Sequence, residues 1–299
     1  MRIGIFGGTA RRSVDQVVDA ARQTEQDGFA SYTLPQIFGL DAMGMLAVIG
    51  REVPRIELLT GVVPTYSRHP VTMAQQALTV QAASGGRFSL GIGLSHQMVV
   101  ENMFGLSYAQ PVRHMREYLD VLLPLLRGGK CDVDGETIST HAALDVPDLP
   151  PVPVLVAALG PKMLELTGTV ADGTVTWMTG PATLAEHTVP AITAAAEHAG
   201  RPAPRIVSSL PVCLTADPDA ARERAASDFR VYGFLPSYRA ILDREGAAGP
   251  ADVAIVGDEP TVRAGIARIA DAGVTDFVAS IFGAREDRAA TNALLQSML

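Results

Sequence analysis

The chain has few cysteines, few aromatic residues and few charged residues. Its low content of cysteine and of charge excludes whole classes of protein. Its two cysteines, Cys131 and Cys213, are far apart and match no metal-binding or redox spacing. We expect them to be reduced thiols of a cytoplasmic protein. Charged residues make up only 19%, and the net charge of -8 excludes the basic surface that nucleic acid requires. No apolar run reaches the roughly 18 residues of a membrane span, and no motif predicts a metal site or a nucleophilic serine.

What the chain has instead is a large apolar content in a regular repeat. Hydrophobic residues make up 47% of the 299 residues, which is ample for one large core, and we expect a single domain over residues 1–299. Short, continuous apolar runs alternate with helical patterns, for which Ser13, Asp41 and Pro70 are the expected first residues. Continuous rather than alternating runs are typical of parallel strands that are covered on both faces.

Eight such strands are predicted, which indicates a (β/α)8 TIM barrel with insertions. They are Arg2–Phe6, Ala30–Leu34, Ile56–Val63, Phe88–Ile92, Val152–Ala157, Thr174–Trp177, Ile206–Leu214 and Thr275–Phe282. Lys130–Pro151 is predicted as an inserted hairpin and loop. The alternative fold is a doubly wound sheet, which would require a glycine-rich phosphate-binding motif after an early strand. Gly91-x-Gly93-x-x-His96 supplies only two of its three glycines.

A series of motifs in this order resembles the bacterial luciferase-like superfamily, and most closely its actinobacterial branch that uses the deazaflavin F420. The motifs are Gly28-Phe-Ala-Ser31, Leu34-Pro35-Gln36, Thr60-Gly-Val-Val-Pro-Thr65, Gly86-Arg-Phe-Ser-Leu-Gly-Ile-Gly93, Ala157-Ala-Leu-Gly-Pro-Lys-Met163, Ala171-Asp-Gly-Thr174 and Leu235-Pro-Ser-Tyr-Arg239. The resemblance runs nearly end to end. It implies a luciferase-like barrel, a homodimer, and a flavin or F420 ring across the carboxyl ends of the strands.

The resemblance also implies where the ring lies. In relatives it rests against a bulge at the end of the third strand, where a peptide bond that does not involve proline is often cis; the matching pair here is Gly61-Val62. Ser95 and His96 follow the fourth strand, and the imidazole is suited to proton transfer near neutral pH. His96 and Gln36 are therefore the catalytic candidates. The alternatives are a surface histidine and an amide that caps a loop.

The segment Leu159-Gly160-Pro161-Lys162-Met163 follows a strand and opens a helix, so its free amides favour an anion. F420 and FMN both carry a phosphate, which we expect at the amides of Gly160, Lys162 and Met163. Trp177 and Met178 end the next strand and would neighbour this phosphate. The alternatives are an ordinary Gly-Pro turn and, for Trp177, a place in the core.

Two further groups are candidates for contact with the substrate. Thr65, Tyr66 and Arg68 follow the third strand, and Tyr232, Tyr238 and Arg239 lie in a long, interrupted helical segment. Arg239 and Lys162 are also candidates for the anionic tail of F420. The alternative for both groups is helix packing with a solvated arginine.

The predicted function is that of an F420-dependent oxidoreductase, which transfers a hydride between F420 and a small organic substrate. The first alternative is a reduced-FMN-dependent monooxygenase, and an alternative of another class is a non-catalytic flavin-binding or F420-binding protein. A homodimer is also suggested by the apolar face of the predicted helix Val112–Leu126.

Overall fold

Eight parallel strands close into a barrel in the computed structural model, which describes residues 1–299. The strands of the chain are β1 (Arg2–Phe6), β2 (Ser31–Leu34), β3 (Glu57–Thr60), β4 (Val63–Pro64), β5 (Phe88–Gly93), β6 (Lys130–Asp134), β7 (Ser139–Ala143), β8 (Val154–Val156), β9 (Gly173–Trp177), β10 (Arg205–Leu214), β11 (Ile255–Gly257) and β12 (Asp276–Ile281). The barrel order is β1-β2-β3-β5-β8-β9-β10-β12, and β12 pairs with β1. The predicted (β/α)8 fold is confirmed.

The helices follow the barrel strands and cover the outside of the barrel. They are α1 (Val14–Gln26), α2 (Ala42–Glu52), α3 (Pro70–Ser84), α4 (Pro111–Leu126), α5 (Pro161–Val170), α6 (Pro181–Thr183), α7 (Val189–His198), α8 (Pro218–Asp228), α9 (Pro236–Glu245), α10 (Pro250–Val253), α11 (Glu259–Asp271) and α12 (Arg285–Gln296). Short π-helical segments span Val99–Met103 and Leu184–Thr188, and a 3-10 segment spans Arg230–Gly233. No helix has both the length and the apolar character needed to cross a lipid bilayer.

The predicted helix starts are confirmed by the hydrogen bonds at the helix termini. The Ser13 hydroxyl accepts from the Gln16 amide while the Gln16 side chain accepts from the Ser13 amide, which is a capping box. Asp41 accepts from the Gly44 amide at the start of α2. Pro70 occupies the first turn of α3, where its missing N–H is not needed.

Two features of the strands differ from the sequence prediction. The third strand is divided into β3 and β4, because the chain is interrupted at Gly61-Val62, whose peptide bond is cis as the resemblance implies. Both pieces pair with β5. The second is β11, which lies where the sequence predicts a loop with an extended stretch at Ala254–Val256; it pairs with the last three residues of the ten-residue β10. The predicted insertion contains the antiparallel hairpin β6-β7.

The apolar face of α4 packs inward and does not form a free surface. Met115, Leu119 and Leu122 are buried in the main core between helices and strands. The suggestion that this face mediates dimerisation is therefore wrong, because the face is covered within the chain.

The interior of the barrel is filled by a second cluster, made of Leu59, Leu155, Val175, Val207 and Val278. Phe6 and Val62 pack on this cluster from the carboxyl-end side. Because side chains close the middle of the barrel, any cavity must lie above them, where the strands end.

A buried ion-pair cluster closes the opposite end of the barrel. Arg205, at the start of β10, donates to Asp276 at 2.9 and 3.0 Å and to Glu57 at 2.5 Å. The side chains of Arg205 and Asp276 are only 19% and 5% exposed. Burial alone would raise the pKa of Asp276, but the hydrogen bonds and charge of Arg205 outweigh it and lower that pKa.

We expect Arg205→Met to destabilise the protein by up to about 3 to 5 kcal/mol at pH 7, because Glu57 and Asp276 then keep only the half-exposed Arg2 as their cation. The lowered pKa of Asp276 stabilises the fold above the carboxyl's ordinary pKa, and this contribution is lost as the pH falls through the folded-state pKa. The deficit of the variant should therefore shrink below about pH 4. Urea denaturation at several pH values measures it.

Arg263→Met is the matched control, because Arg263 forms an exposed pair with Glu259 four residues earlier in α11. Its loss should cost no more than about 0.5 kcal/mol. An equal cost for the two variants would contradict the role given to Arg205.

Candidate functional site

The carboxyl ends of the barrel strands surround a cavity of about 990 Å³. Loops after β1, β2, β5 and β8 contribute to its walls, and so does the segment between α8 and α9. The cavity is lined by many of the residues that the sequence predicts: Gln36, Gly61, Val62, Ser95, His96, Leu159, Gly160, Met163, Trp177, Tyr232 and Tyr238. The chain thus brings together residues that are separated by up to about 200 positions.

The three residues predicted after the third strand lie outside the cavity, which corrects their assignment as substrate contacts. Thr65 is buried, with its hydroxyl 3.1 Å from Nε2 of His114 in α4. The Tyr66 ring stacks on the same imidazole at a centroid distance of 4.0 Å. Arg68 forms an ion pair with Asp41, the capping residue of α2. These contacts join the barrel to its outer helices.

Arg239 is likewise committed to contacts within the chain. Its guanidinium donates to Asp243 at 2.8 Å and to the carbonyls of Ala247 and Ala248 at 2.6 and 2.8 Å. These carbonyls follow the end of α9, so Arg239 stabilises that helix terminus and does not line the cavity. The assignments to substrate and to the F420 tail are therefore corrected.

Three predicted cofactor contacts also lie away from the cavity lining. Pro161 and Lys162 are exposed on the outer side of the first turn of α5. Met178 is fully buried in the core. None of the three side chains lines the cavity.

His96 lies against Tyr232, in the segment between α8 and α9, and against Tyr238, in the first turn of α9. Its ring meets those of Tyr238 and Tyr232 edge-on, at centroid distances of 5.7 and 6.5 Å. Burial lowers the pKa of His96, so the imidazole is neutral at neutral pH. Burial also raises the pKa of Tyr238, and the neighbouring Tyr232 adds to this shift. The two groups therefore supply neutral hydrogen-bond donors and acceptors at one wall.

Gln36 lines the cavity, but its carboxamide oxygen is already used. It accepts a hydrogen bond of 2.8 Å from the amide of Ala42, the first residue of α2. This favours the capping alternative over a catalytic one. The contact holds the loop from Pro35 to Gly39, which also lines the cavity.

Trp177, the chain's one tryptophan, is at the centre of an aromatic group in the cavity wall. It stacks on Phe6 at 5.4 Å and meets Phe229 and Tyr232 edge-on at 5.8 and 5.9 Å. Its buried indole N–H has no acceptor in good hydrogen-bond geometry, and its nearest partner is the Tyr232 hydroxyl, whose pKa it acts to lower. A buried donor of this kind gains most from a ligand that accepts its proton.

The N-terminus of α5 opens towards the cavity without a side-chain cap. Gly160 is the capping residue, and neither its amide nor that of Lys162 has an acceptor in the chain. The Met163 amide donates to the Gly160 carbonyl at 3.1 Å, so it is not free as the sequence suggested. His187 donates to the Leu159 carbonyl at 3.1 Å and holds this loop in place.

The cavity lining contains two charged side chains, Arg11 and Asp228, and the sequence analysis predicts neither. Arg11 is the one arginine or lysine side chain in the lining, is exposed, and forms no ion pair. Asp228 is the one carboxylate of the lining and pairs with Arg224 at 3.3 Å. Other missed lining residues are Phe6, Gly7, Gly8, Thr9, Ala10, Ile37, Phe38, Tyr108 and Phe229. The one feature of the sequence that could have indicated such residues is the glycine pair Gly7-Gly8, which follows β1.

These features fit a tricyclic cofactor with a phosphate. Gly61 and Val62 line the cavity at the end of β3 and place no side chain larger than valine there. The indole N–H of Trp177 lacks an acceptor, and the uncapped amides of Gly160 and Lys162 suit a phosphate. Metal ligands are not gathered anywhere in the chain.

A sequence model described as luciferase-like monooxygenase matches residues 1–287, and the chain belongs to this family. Among its relatives, a 5,10-methylenetetrahydromethanopterin reductase of Methanolobus tindarius is 31% identical over 242 residues, which cover 80% of this chain and 74% of the relative.

Solved structures extend the likeness in fold. A coenzyme F420-dependent tetrahydromethanopterin reductase of Methanopyrus kandleri superposes with a TM-score of 0.80, at 22% identity, over 99% of this chain and 97% of that one. A type II Baeyer–Villiger monooxygenase of Pseudomonas putida, solved with FMN, gives a TM-score of 0.77 at 17% identity, over 99% and 96% of the two chains. Proteins of this fold therefore include users of both cofactors.

Proposed function

We propose that the protein is an F420-dependent oxidoreductase, which transfers a hydride between F420 and a small organic substrate in the cavity at the carboxyl ends of the strands. The observation that carries the proposal is the pairing of a wall of small residues at Gly61 and Val62 with the uncapped helix terminus at Gly160. Similarity to reductases, one of them F420-dependent by name, supports F420 over FMN. Bound F420 supplies a two-electron hydride donor or acceptor.

The residues of the chain would bind the cofactor through its ring, its phosphate and its tail. Gly61, Val62 and Trp177 would pack against the ring and exclude water from it. The amides of Gly160 and Lys162 would hold the phosphate through the positive end of α5. Arg11 replaces Lys162 and Arg239 as the candidate for the anionic tail, because it is the cation at the cavity that no carboxylate neutralises.

The proton that accompanies hydride transfer would be exchanged at the wall formed by His96 and Tyr238. Tyr238 keeps its hydroxyl proton at neutral pH because burial raises its pKa, so it can donate a hydrogen bond to a substrate oxygen. His96 is neutral and can exchange a proton at a ring nitrogen. Gln36 would act by positioning the loop that it caps.

The cofactor can be identified by fluorescence titration, since Trp177 is the chain's one tryptophan and lines the cavity. We expect F420 to quench it with a Kd in the low micromolar range or below, roughly -7 to -9 kcal/mol, and FMN to bind at least ~10-fold more weakly. Equal or tighter FMN binding, with O2 consumption when reduced FMN is supplied, would favour the monooxygenase alternative. Binding of neither would refute both enzymes.

Variants can distinguish the phosphate contact at Gly160 from the tail contact at Arg11. F420 and FMN both carry a phosphate, but only F420 carries an anionic tail. Gly160→Val should crowd the approach of the phosphate and weaken both cofactors by at least ~1 kcal/mol. The variant should fold, since a Cβ at Gly160 meets no atom within 4 Å. Arg11→Gln should weaken F420 by about 3-fold to 10-fold and leave FMN unchanged, at the scale of one exposed charge pair.

Arg12→Gln is the matched control for Arg11, because Arg12 is the adjacent arginine, is exposed, and does not line the cavity. It should change neither affinity. A loss of F420 affinity in Arg12→Gln equal to that in Arg11→Gln would reject the specific role of Arg11, and unchanged F420 affinity in Gly160→Val would reject the phosphate site.

A cytoplasmic homodimer completes the proposal. Both cysteines are buried and unpaired, which fits a reducing compartment. Since the apolar face of α4 is covered within the chain, the exposed apolar side chains Met98, Met103 and Leu106 after β5 are the candidates for the contact surface. Light scattering at micromolar concentration should give twice the chain mass of 31.5 kDa. A mass of one chain would refute the dimer.

A further inference from the structure

The cavity has no charged side chain in its interior, and this limits what it can bind. Its one cation, Arg11, is exposed at the mouth, and its one carboxylate, Asp228, is exposed and already paired. The titratable groups deeper in the wall, His96, Tyr232 and Tyr238, are all held in their neutral forms by burial. An ionised group moved into such a site would lose its hydration without gaining a counter-charge.

Apolar side chains form the outer wall of the same cavity, although water surrounds them. Ile37 and Phe38, in the loop after β2, are 60% and 63% exposed, and Val231, in the 3-10 segment, is 49% exposed. We call these three residues the apolar rim. They belong to two loops that both line the cavity, so a ligand that extends outward from the aromatic wall can cover them.

The polar groups available to a substrate are few and neutral. Neither the Tyr238 hydroxyl nor the ring nitrogens of His96 have a hydrogen-bond partner within the chain. They lie at one wall and can hydrogen-bond one small polar group, such as a carbonyl or hydroxyl oxygen. Around them stand Trp177, Phe229 and Tyr232, whose ring faces and edges suit apolar carbon.

We propose that the substrate is a neutral, lipophilic molecule with one polar reacting group, which lies against His96 and Tyr238 while its apolar body extends along the aromatic wall to the apolar rim. This inference rests on the proposed function, because F420 must occupy the cavity beside the substrate. It excludes substrates that carry a carboxylate or phosphate near the reacting group.

The test uses two cyclohexanones that differ at one position, 4-tert-butylcyclohexanone and 4-oxocyclohexanecarboxylate, with the full chain saturated with oxidised F420. Calorimetry measures the binding of each. The tert-butyl ketone should bind at least ~10-fold more tightly, since it gains apolar contact where the carboxylate loses hydration. Equal or tighter binding of the carboxylate, or binding of neither ketone, overturns the inference.

The role of the apolar rim is tested by Phe38→Ser, with Phe234→Ser as its matched control. Phe234 is 77% exposed in the same region but does not line the cavity. Phe38→Ser should weaken the tert-butyl ketone about 5-fold to 10-fold, the scale of partly exposing a phenylalanine side chain, and leave F420 affinity unchanged. Phe234→Ser should change neither.

The outcomes separate this inference from the proposed function. Failure of F420 to bind the unmodified protein refutes the proposed function itself. Normal F420 binding with an inverted preference between the ketones refutes only the neutral substrate. If Phe38→Ser leaves the affinity for the tert-butyl ketone unchanged and instead lowers the mass in light scattering, the rim is a contact between two copies, and its role in substrate binding is overturned.

Discussion

Closure of the barrel through β10 is the constraint on which the rest of the structure depends. β10 pairs with β9 on one side and with β12 on the other, so the sheet has no free edge in the barrel. Closure forces the interior side chains into one small cluster and leaves no room for a ligand at that level. It also gathers the loops of distant strands at one end. The buried Arg205 cluster at the other end fixes the register in which β10 meets its neighbour β12.

The barrel could be predicted from sequence because each strand is a continuous apolar run bounded by turn residues, a local signal that closure does not alter. The fate of individual side chains after a strand is not local. Thr65 was expected in the cavity, but its amide donates to the Gly93 carbonyl at 2.9 Å and continues the pairing of β4 with β5. Side chains alternate along such a segment, so Pro64 lines the cavity and Thr65 faces α4. The pairing of β4 with β5 therefore continues to Thr65, and this turns the Thr65 side chain away from the cavity in which it was predicted.

The arginines illustrate a second limit of the sequence. The charge of Arg239 suggests contact with an anionic ligand. Its guanidinium instead donates to two backbone carbonyls, which come within reach because α9 ends at Glu245. No motif in the sequence marks Arg11, which lies three residues after the glycine pair that follows β1 and has a backbone φ of 55°. A positive φ in a residue other than glycine turns the loop after β1 in a way that no propensity predicts. The unpaired cation of the cavity could be found only from the folded chain.

A charge-poor cavity and the proposed anionic cofactor would place opposite demands on one site, and the terminus of α5 would reconcile them. Several buried lysines or arginines would neutralise a phosphate, but each would carry its own desolvation cost and impose a field on the reacting atoms. The uncapped amides of Gly160 and Lys162 offer partial positive charge from rigid backbone instead. The wall of His96, Tyr238 and Trp177 can then stay neutral. In that low-polarity environment each neutral hydrogen bond to a reacting oxygen would be stronger than in water, so a few uncharged groups would suffice to orient and polarise the proposed substrate.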